Sequence, residues 1–160
     1  MLRPPLLFVF VFAASCNGWE GSGRSHDAGA PLDAPAVACT LGSVYGGRPP
    51  INPDDPQYED ANWTQEQVTE AFAMAKAKNS IAYRAYKAAY AHPDIITCAF
   101  CPCGCSKGAG HKSGVDCYKD MHGFNCGTCQ DFAMRMDTLL QAGMPTEQVK
   151  RTLQSEYPAH

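Results

Sequence analysis

The chain has 160 residues, a formal net charge of −3 and nine cysteines. That length suits one modest domain with extensions. Residues 61–160 carry ten Lys/Arg against nine Asp/Glu, so there is no basic face to neutralise a phosphate backbone, and nucleic acid is excluded as an expected partner. In a reducing cytosol nine thiols would imply metal binding, whereas an oxidising compartment also admits disulfides; the destination of the protein therefore matters.

Met1–Arg3 is a short cationic start, and Leu6–Ala14 (LLFVFVFAA) is an apolar run too short to span a bilayer as a helix. Residues 1–15 thus read as a signal peptide. Its end, Phe12-Ala13-Ala14-Ser15-Cys16, resembles a bacterial lipobox, in which small residues precede a cysteine that is acylated. The resemblance implies a lipid on Cys16 and a membrane partner reached through that lipid. Ala13-x-Ser15 equally suits an ordinary signal peptidase, which would leave the protein secreted or periplasmic. Both routes place the domain outside the cytoplasm, in the bacterial cell envelope.

Residues 17–60 hold seven Gly and six Pro in 44 positions and show no helical or alternating apolar pattern. With Cys16 they read as a tether over 16–60, since such a segment buries too little to order itself. Tyr45, Ile51 and Tyr58 are the residues able to pack back as an extended arm. Cys39 stands alone and reads as an incidental thiol or a disulfide partner.

Helical signals begin at Thr64, where T-x-x-Q to Gln67 forms a capping box ahead of Val68, Phe72 and Ala75 on one face. Asn79-Ser80 predicts a break, after which Ile81, Ala85, Ala88 and Ala89 continue a stripe toward Tyr90. Tyr83, Tyr86 and Tyr90 are expected to pack in the core or at a groove edge. Pro93 suits the first position of one short helical turn before the cysteines. Beyond them, Cys126-Gly-Thr-Cys129 opens a helix whose face carries Cys129, Phe132, Ala133, Met136, Leu139 and Leu140, and which Gly143 ends. Met144-Pro145 starts a last helix with Val149, Leu153 and Tyr157 on one side, Lys150 and Arg151 exposed, and Pro158 as its stop. Strand signals are absent. The expected fold is all-α: three or four helices over 61–160 around an irregular Cys-rich loop.

That loop concentrates the chemistry, with seven cysteines in the 32 residues from Cys98 to Cys129. Cys98-x-x-Cys101-x-Cys103-x-Cys105 is followed by Cys117 and the pair Cys126/Cys129, with Pro102 and Gly104 bending the backbone. Three readings compete. Disulfides would staple a small extracytoplasmic domain, but seven is odd, completing four bridges would need Cys39, and adjacent C-x-C positions make strained rings. A thiol redox protein would use Cys126/Cys129 at a helix N-terminus, but the surrounding β-α-β pattern is missing. Thiolates also select Cu(I) or Zn(II), and a dense C-x-C-x-C run suits ions bridged by successive sulfurs, which favours Cu(I). The helix N-terminus is further expected to depress the thiol pKa of Cys126 and Cys129. An iron–sulfur cluster fits the spacing but not an oxidising location.

The stretch from Ala91 to Cys105, with His111-Lys112-Ser113, Asp116-Cys117-Tyr118 and Asn125-Cys-Gly-Thr-Cys-Gln130, resembles the bacterial lipoproteins named for a PCYCGC motif. The resemblance covers residues 64–157 and maps the motif's cysteines onto Cys101, Cys103 and Cys105, and the later ones onto Cys117, Cys126 and Cys129. Phe100 replaces the motif's proline and Pro102 its tyrosine, while Cys98 is additional. A small helical, envelope-anchored domain is implied, and no defined activity.

The remaining polar residues have simpler readings. His111 and His122 flank Cys117; both read first as solvent-exposed, with His111 the likelier exception because it accompanies the motif. Met121 is a candidate thioether, Met134 and Met136 are helix packing, and Asp116, Asp131 and Asp137 are helix-end or solvent charges. No carboxylate pair, Ser/His/Asp set or phosphate-binding glycine loop is present, so no catalysis is expected. The expectation is a non-enzymatic soft-metal domain, holding Cu(I) or else Zn(II) through Cys101, Cys103, Cys105, Cys117, Cys126 and Cys129, with Cys98 and His111 as further candidates. It would serve sequestration or delivery.

Overall fold

Helix α1 (Gln65–Ala77) starts where the T-x-x-Q pattern places it: Thr64 Oγ1 accepts from Gln67 N–H and the Gln67 side chain accepts from Thr64 N–H, satisfying two orphan donors. The break also falls as expected. Asn79 adopts a left-handed φ of 49°, and Ser80 caps helix α2 (Ile81–Ala91) by accepting from Tyr83 N–H. Pro93 opens the four-residue α3 (Pro93–Ile96). Two 3-10 turns follow, Gly114–Tyr118 and His122–Phe124, before α4 (Gly127–Gln141) and α5 (Thr146–Glu156). At the end of α4, Gly143 (φ 80°) donates to Leu140 O and Met144 N–H donates to Leu139 O, a Schellman stop that only glycine enters without strain.

These elements come from a computed structural model that describes residues 49–99, 103–105 and 107–158. The signal peptide, Cys16, Cys39, Tyr45 and Cys101 lie outside the described residues. Among the described residues there are five α-helices and no strand, so the domain is all-α. No helix among them is long and apolar enough to cross a membrane.

α2 packs most extensively on α4, which in turn carries α5, while α3 rests on α5. Val68, Phe72, Ala85, Tyr86, Ala89, Ile96, Phe132, Met136, Val149 and Leu153 close one core. Each fully buried large side chain contributes about 1.5–3 kcal/mol relative to exposure. Two expectations for α2 fail. Ile81 is 52% exposed and Tyr90 46% exposed, because the buried line is Ala82, Ala85, Tyr86 and Ala89. Ile81 and Tyr90 stand one residue outside that line, about 100° around the helix. Lys150 and Arg151 are likewise half-buried rather than exposed, with Lys150 paired to Glu147 at 2.8 Å.

Ile51 does pack back as an arm. It is fully buried, and its N–H donates to Tyr118 O at 2.8 Å; Tyr58 packs at the edge of the same core. Three residues on, Asp54 receives Lys76 at 2.8 Å, Lys87 and the Tyr83 hydroxyl, so one carboxylate ties α1 to α2. Asp60 then accepts from Met121 N–H at 2.7 Å, which brings the arm to the cysteine loop.

Candidate metal centre

Four backbone elements converge at the N-terminus of α4. Cys129 occupies the first turn of that helix, Cys117 the first 3-10 turn, and His122 the start of the second. Cys103 and Cys105 arrive on the loop after α3, separated by Gly104 in a left-handed conformation (φ 71°) that a side chain would disfavour.

A polar framework fixes each of these pieces. Asp116 accepts from Lys112 N–H (2.7 Å), Ser113 N–H (3.0 Å) and Lys119 Nζ (2.7 Å), pinning the loop that carries His111 to the turn that carries Cys117. Burial alone would raise the Asp116 pKa; Lys119 and the two backbone donors outweigh it and hold the carboxyl below its usual value. His122 N–H donates to Asp120 Oδ1 at 2.8 Å, and Gln130 Nε2 donates to Gly123 O and Phe124 O, holding the second turn on α4. The Tyr118 hydroxyl donates to Cys129 O and the Tyr86 hydroxyl to Asp120 O. Burial pushes both phenols well above their usual pKa, so they remain donors. Gly123 is needed for closeness: a Cβ there would meet Cys117 O at 2.7 Å and the Tyr118 ring at 3.3 Å.

The result is two sets of ligand atoms. Cys103, Cys117, His122 and Cys129 offer three sulfurs and one nitrogen, all within 4.8 Å of one another. Cys105, His111 and His122 form a second set under the same limit. Cys103 Sγ lies 3.6 Å from Cys129 Sγ and 3.8 Å from His122 Nε2, and Cys117 Sγ lies 3.4 Å from His111 Nδ1. Metal–sulfur bonds of about 2.3 Å and metal–nitrogen bonds of about 2.0–2.1 Å give tetrahedral edges of roughly 3.4–3.8 Å, the range of the Cys103–Cys129 and Cys103–His122 separations within the first set. Cys105 Sγ is closer to His122 Nε2, at 3.0 Å, and Cys103 Sγ to Cys105 Sγ, at 2.7 Å. Cys117 and Cys129 are fully buried, whereas Cys103, Cys105, His111 and His122 are half-buried. A cleft of about 430 Å³ opens beside them, walled by both histidines, Cys126, Asp60, Trp63 and Asp120. This cluster can hold a metal ion.

Cys103, Cys105, Cys117 and Cys129 thus come together, and His111 joins them. No disulfide links Cys103, Cys105, Cys117, Cys126 or Cys129. Cys98 differs: it is disulfide-bonded, which removes it from the thiol set. Cys126 is the N-cap of α4 and lines the cleft, but belongs to neither ligand set. Its thiol reverses the expected pKa depression. Burial pushes it up to about 12; the Cys129 N–H pulls the other way, and the thiols of Cys129 and Cys103 add to the rise. Desolvation here outweighs the helix terminus.

His122 is the residue the sequence reading undervalued. It belongs to both sets, yet its local sequence, Met121-His-Gly-Phe124, carries no ligand signature, and only its place flanking Cys117 together with His111 marks it. Met121 is buried in the core, 3% exposed, and Met136 is fully buried as expected.

No curated protein and no solved structure matches the chain. The family described as proteins of unknown function with the PCYCGC motif matches over residues 60–159, a span that contains every thiol and both histidines of the cluster, and the chain belongs to that family.

Proposed function

We propose that the domain binds one thiophilic ion, Cu(I) in the first instance, outside the cytoplasm, and sequesters or delivers it without catalysing a reaction. The observation that supports this most is the convergence of Cys103, Cys117, His122 and Cys129 within 4.8 Å. Soft sulfur donors select Cu(I) and Zn(II) over harder ions. The burial of Cys117 and Cys129 would keep a bound ion from water, and the half-exposed loop and cleft leave it a way out. Delivery from the envelope is the role that fits the signal-like Leu6–Ala14 run and the lipobox-like Cys16.

Zn(II) is the second reading, favoured by a three-cysteine, one-histidine set with separations of 3.6 and 3.8 Å, the composition and spacing of a tetrahedral zinc site. The deciding experiment is to purify the protein anaerobically, count reactive thiols and measure bound metals by elemental analysis. Copper, or uptake of Cu(I) in preference to Zn(II), supports the first reading; zinc that Cu(I) does not displace supports the second. A metal-free product without reactive thiols that stays folded in chelator removes both. Replacing Cys16 with Ser tests the anchor, since a protein held by a lipid on Cys16 leaves the membrane fraction once that thiol is gone.

A further inference from the structure

His122 is a member of both ligand sets, and the two sets differ in access. Cys117 and Cys129 of the first set have no exposed surface, whereas Cys105, His111 and His122 are all half-buried, and both histidines form part of the cleft wall. Cys103 and Cys105 fall in different sets, although their sulfurs are 2.7 Å apart. His122 Nε2, 3.0 Å from Cys105 Sγ and 3.8 Å from Cys103 Sγ, lies within reach of both. His111 Nδ1, 3.4 Å from Cys117 Sγ, links the sets on the other side.

From this geometry we propose that Cys105, His111 and His122 form an outer metal position. Here an ion exchanges with ligands arriving through the cleft, before passing to the inner set of Cys103, Cys117, His122 and Cys129. The proposal rests on the metal-binding reading above. Three protein ligands leave one coordination place open, which an incoming thiolate or small chelate fills from the cleft side. The ion moves inward by exchanging Cys105, His111 and the incoming ligand for Cys103, Cys117 and Cys129 while His122 Nε2 stays bound, and the protons of the three inner thiols pass to the three groups displaced. Each bond broken is replaced by one to a neighbouring ligand, and no electron is transferred. The ion is never released to solvent on the way.

The test separates rate from affinity. The full chain, reduced and anaerobic, receives Cu(I) as its bicinchoninate complex, and loading is followed in time; removal is followed with excess bathocuproine disulfonate. His111→Ala and Cys105→Ala, both at half-buried loop positions and checked for folding by circular dichroism, are expected to slow loading and removal alike by about tenfold or more. The outer position requires that removal slow together with loading and not quicken. Loading and removal at wild-type rates in both variants overturn the outer position and leave the inner site standing. A loss of affinity carried by faster removal also overturns it, because that marks Cys105 and His111 as ordinary holding ligands. If the unaltered protein takes up no Cu(I), the copper reading itself falls, and this inference with it.

Discussion

Cys103 Sγ and Cys129 Sγ lie 3.6 Å apart although 26 residues separate them in the chain. The contact exists because the loop after α3 folds over the first turn of α4, and the chain between them returns through two 3-10 turns held by Asp116, Asp120 and Gln130. The thiol pair is thus a product of the folded domain and not of a local motif, and its consequences can be measured.

Cys117→Ala and Cys129→Ala each remove a fully buried sulfur from the inner set. Each is expected to weaken metal affinity by about 100-fold or more, since loss even of a residue that merely orients a ligand costs about 10–100-fold. Cys126→Ser, outside both sets, is expected to cost less than about tenfold. Competition against a chelator of known affinity ranks the three; equal losses would bring Cys126 into the coordination sphere.

The sulfurs of Cys103 and Cys105, 2.7 Å apart, and of Cys103 and Cys129, 3.6 Å apart, are close enough to be oxidised together. A bound ion should protect them. Thiol titration after exposure to oxidised glutathione is expected to show losses in the metal-free protein and retention in the loaded one. Equal losses would mean that the ion does not engage these sulfurs.

Gly123→Ala forces a Cβ to within 2.7 Å of the Cys117 carbonyl, next to His122. Overpacking of this kind costs about 1–3 kcal/mol, and here it also displaces two ligand-bearing turns. Denaturant unfolding and metal affinity are expected to fall together. Gly127→Ala, with nothing within 4 Å of the added Cβ, is the matched control and is expected to leave both near wild type.

Lys76, Lys87 and the Tyr83 hydroxyl hold the Asp54 carboxyl well below the usual carboxylate range. A folded pKa below the unfolded value of about 3.9 stabilises the fold above that pH, and the benefit is lost as pH falls through the folded value. Asp54→Asn is therefore expected to lower the melting temperature at pH 7, with the gap from wild type closing below about pH 4. Thermal melts across pH check this, and a gap independent of pH would refute the assignment.

Ile51→Ala tests the arm. The side chain is fully buried, so the substitution is expected to cost about 2–5 kcal/mol in denaturant unfolding. A change near zero would mean that residues 49–60 contribute nothing to the core.

The sequence by itself determined the all-α class and where the helices start and stop, because caps and stops are local chemistry. Thr64 with Gln67, Ser80 after Asn79, Pro93 and Gly143 each act on backbone groups within a few residues. It also supplied the stock of soft ligands. What only the tertiary structure decided is which of them meet. His122 enters both ligand sets, and Cys126 stays outside them with its thiol pKa raised, because burial and neighbouring thiols depend on the docking of segments far apart in the chain. The helix N-terminus that favours a thiolate at Cys126 was legible from Cys126-Gly-Thr-Cys129; the desolvation that outweighs it was not.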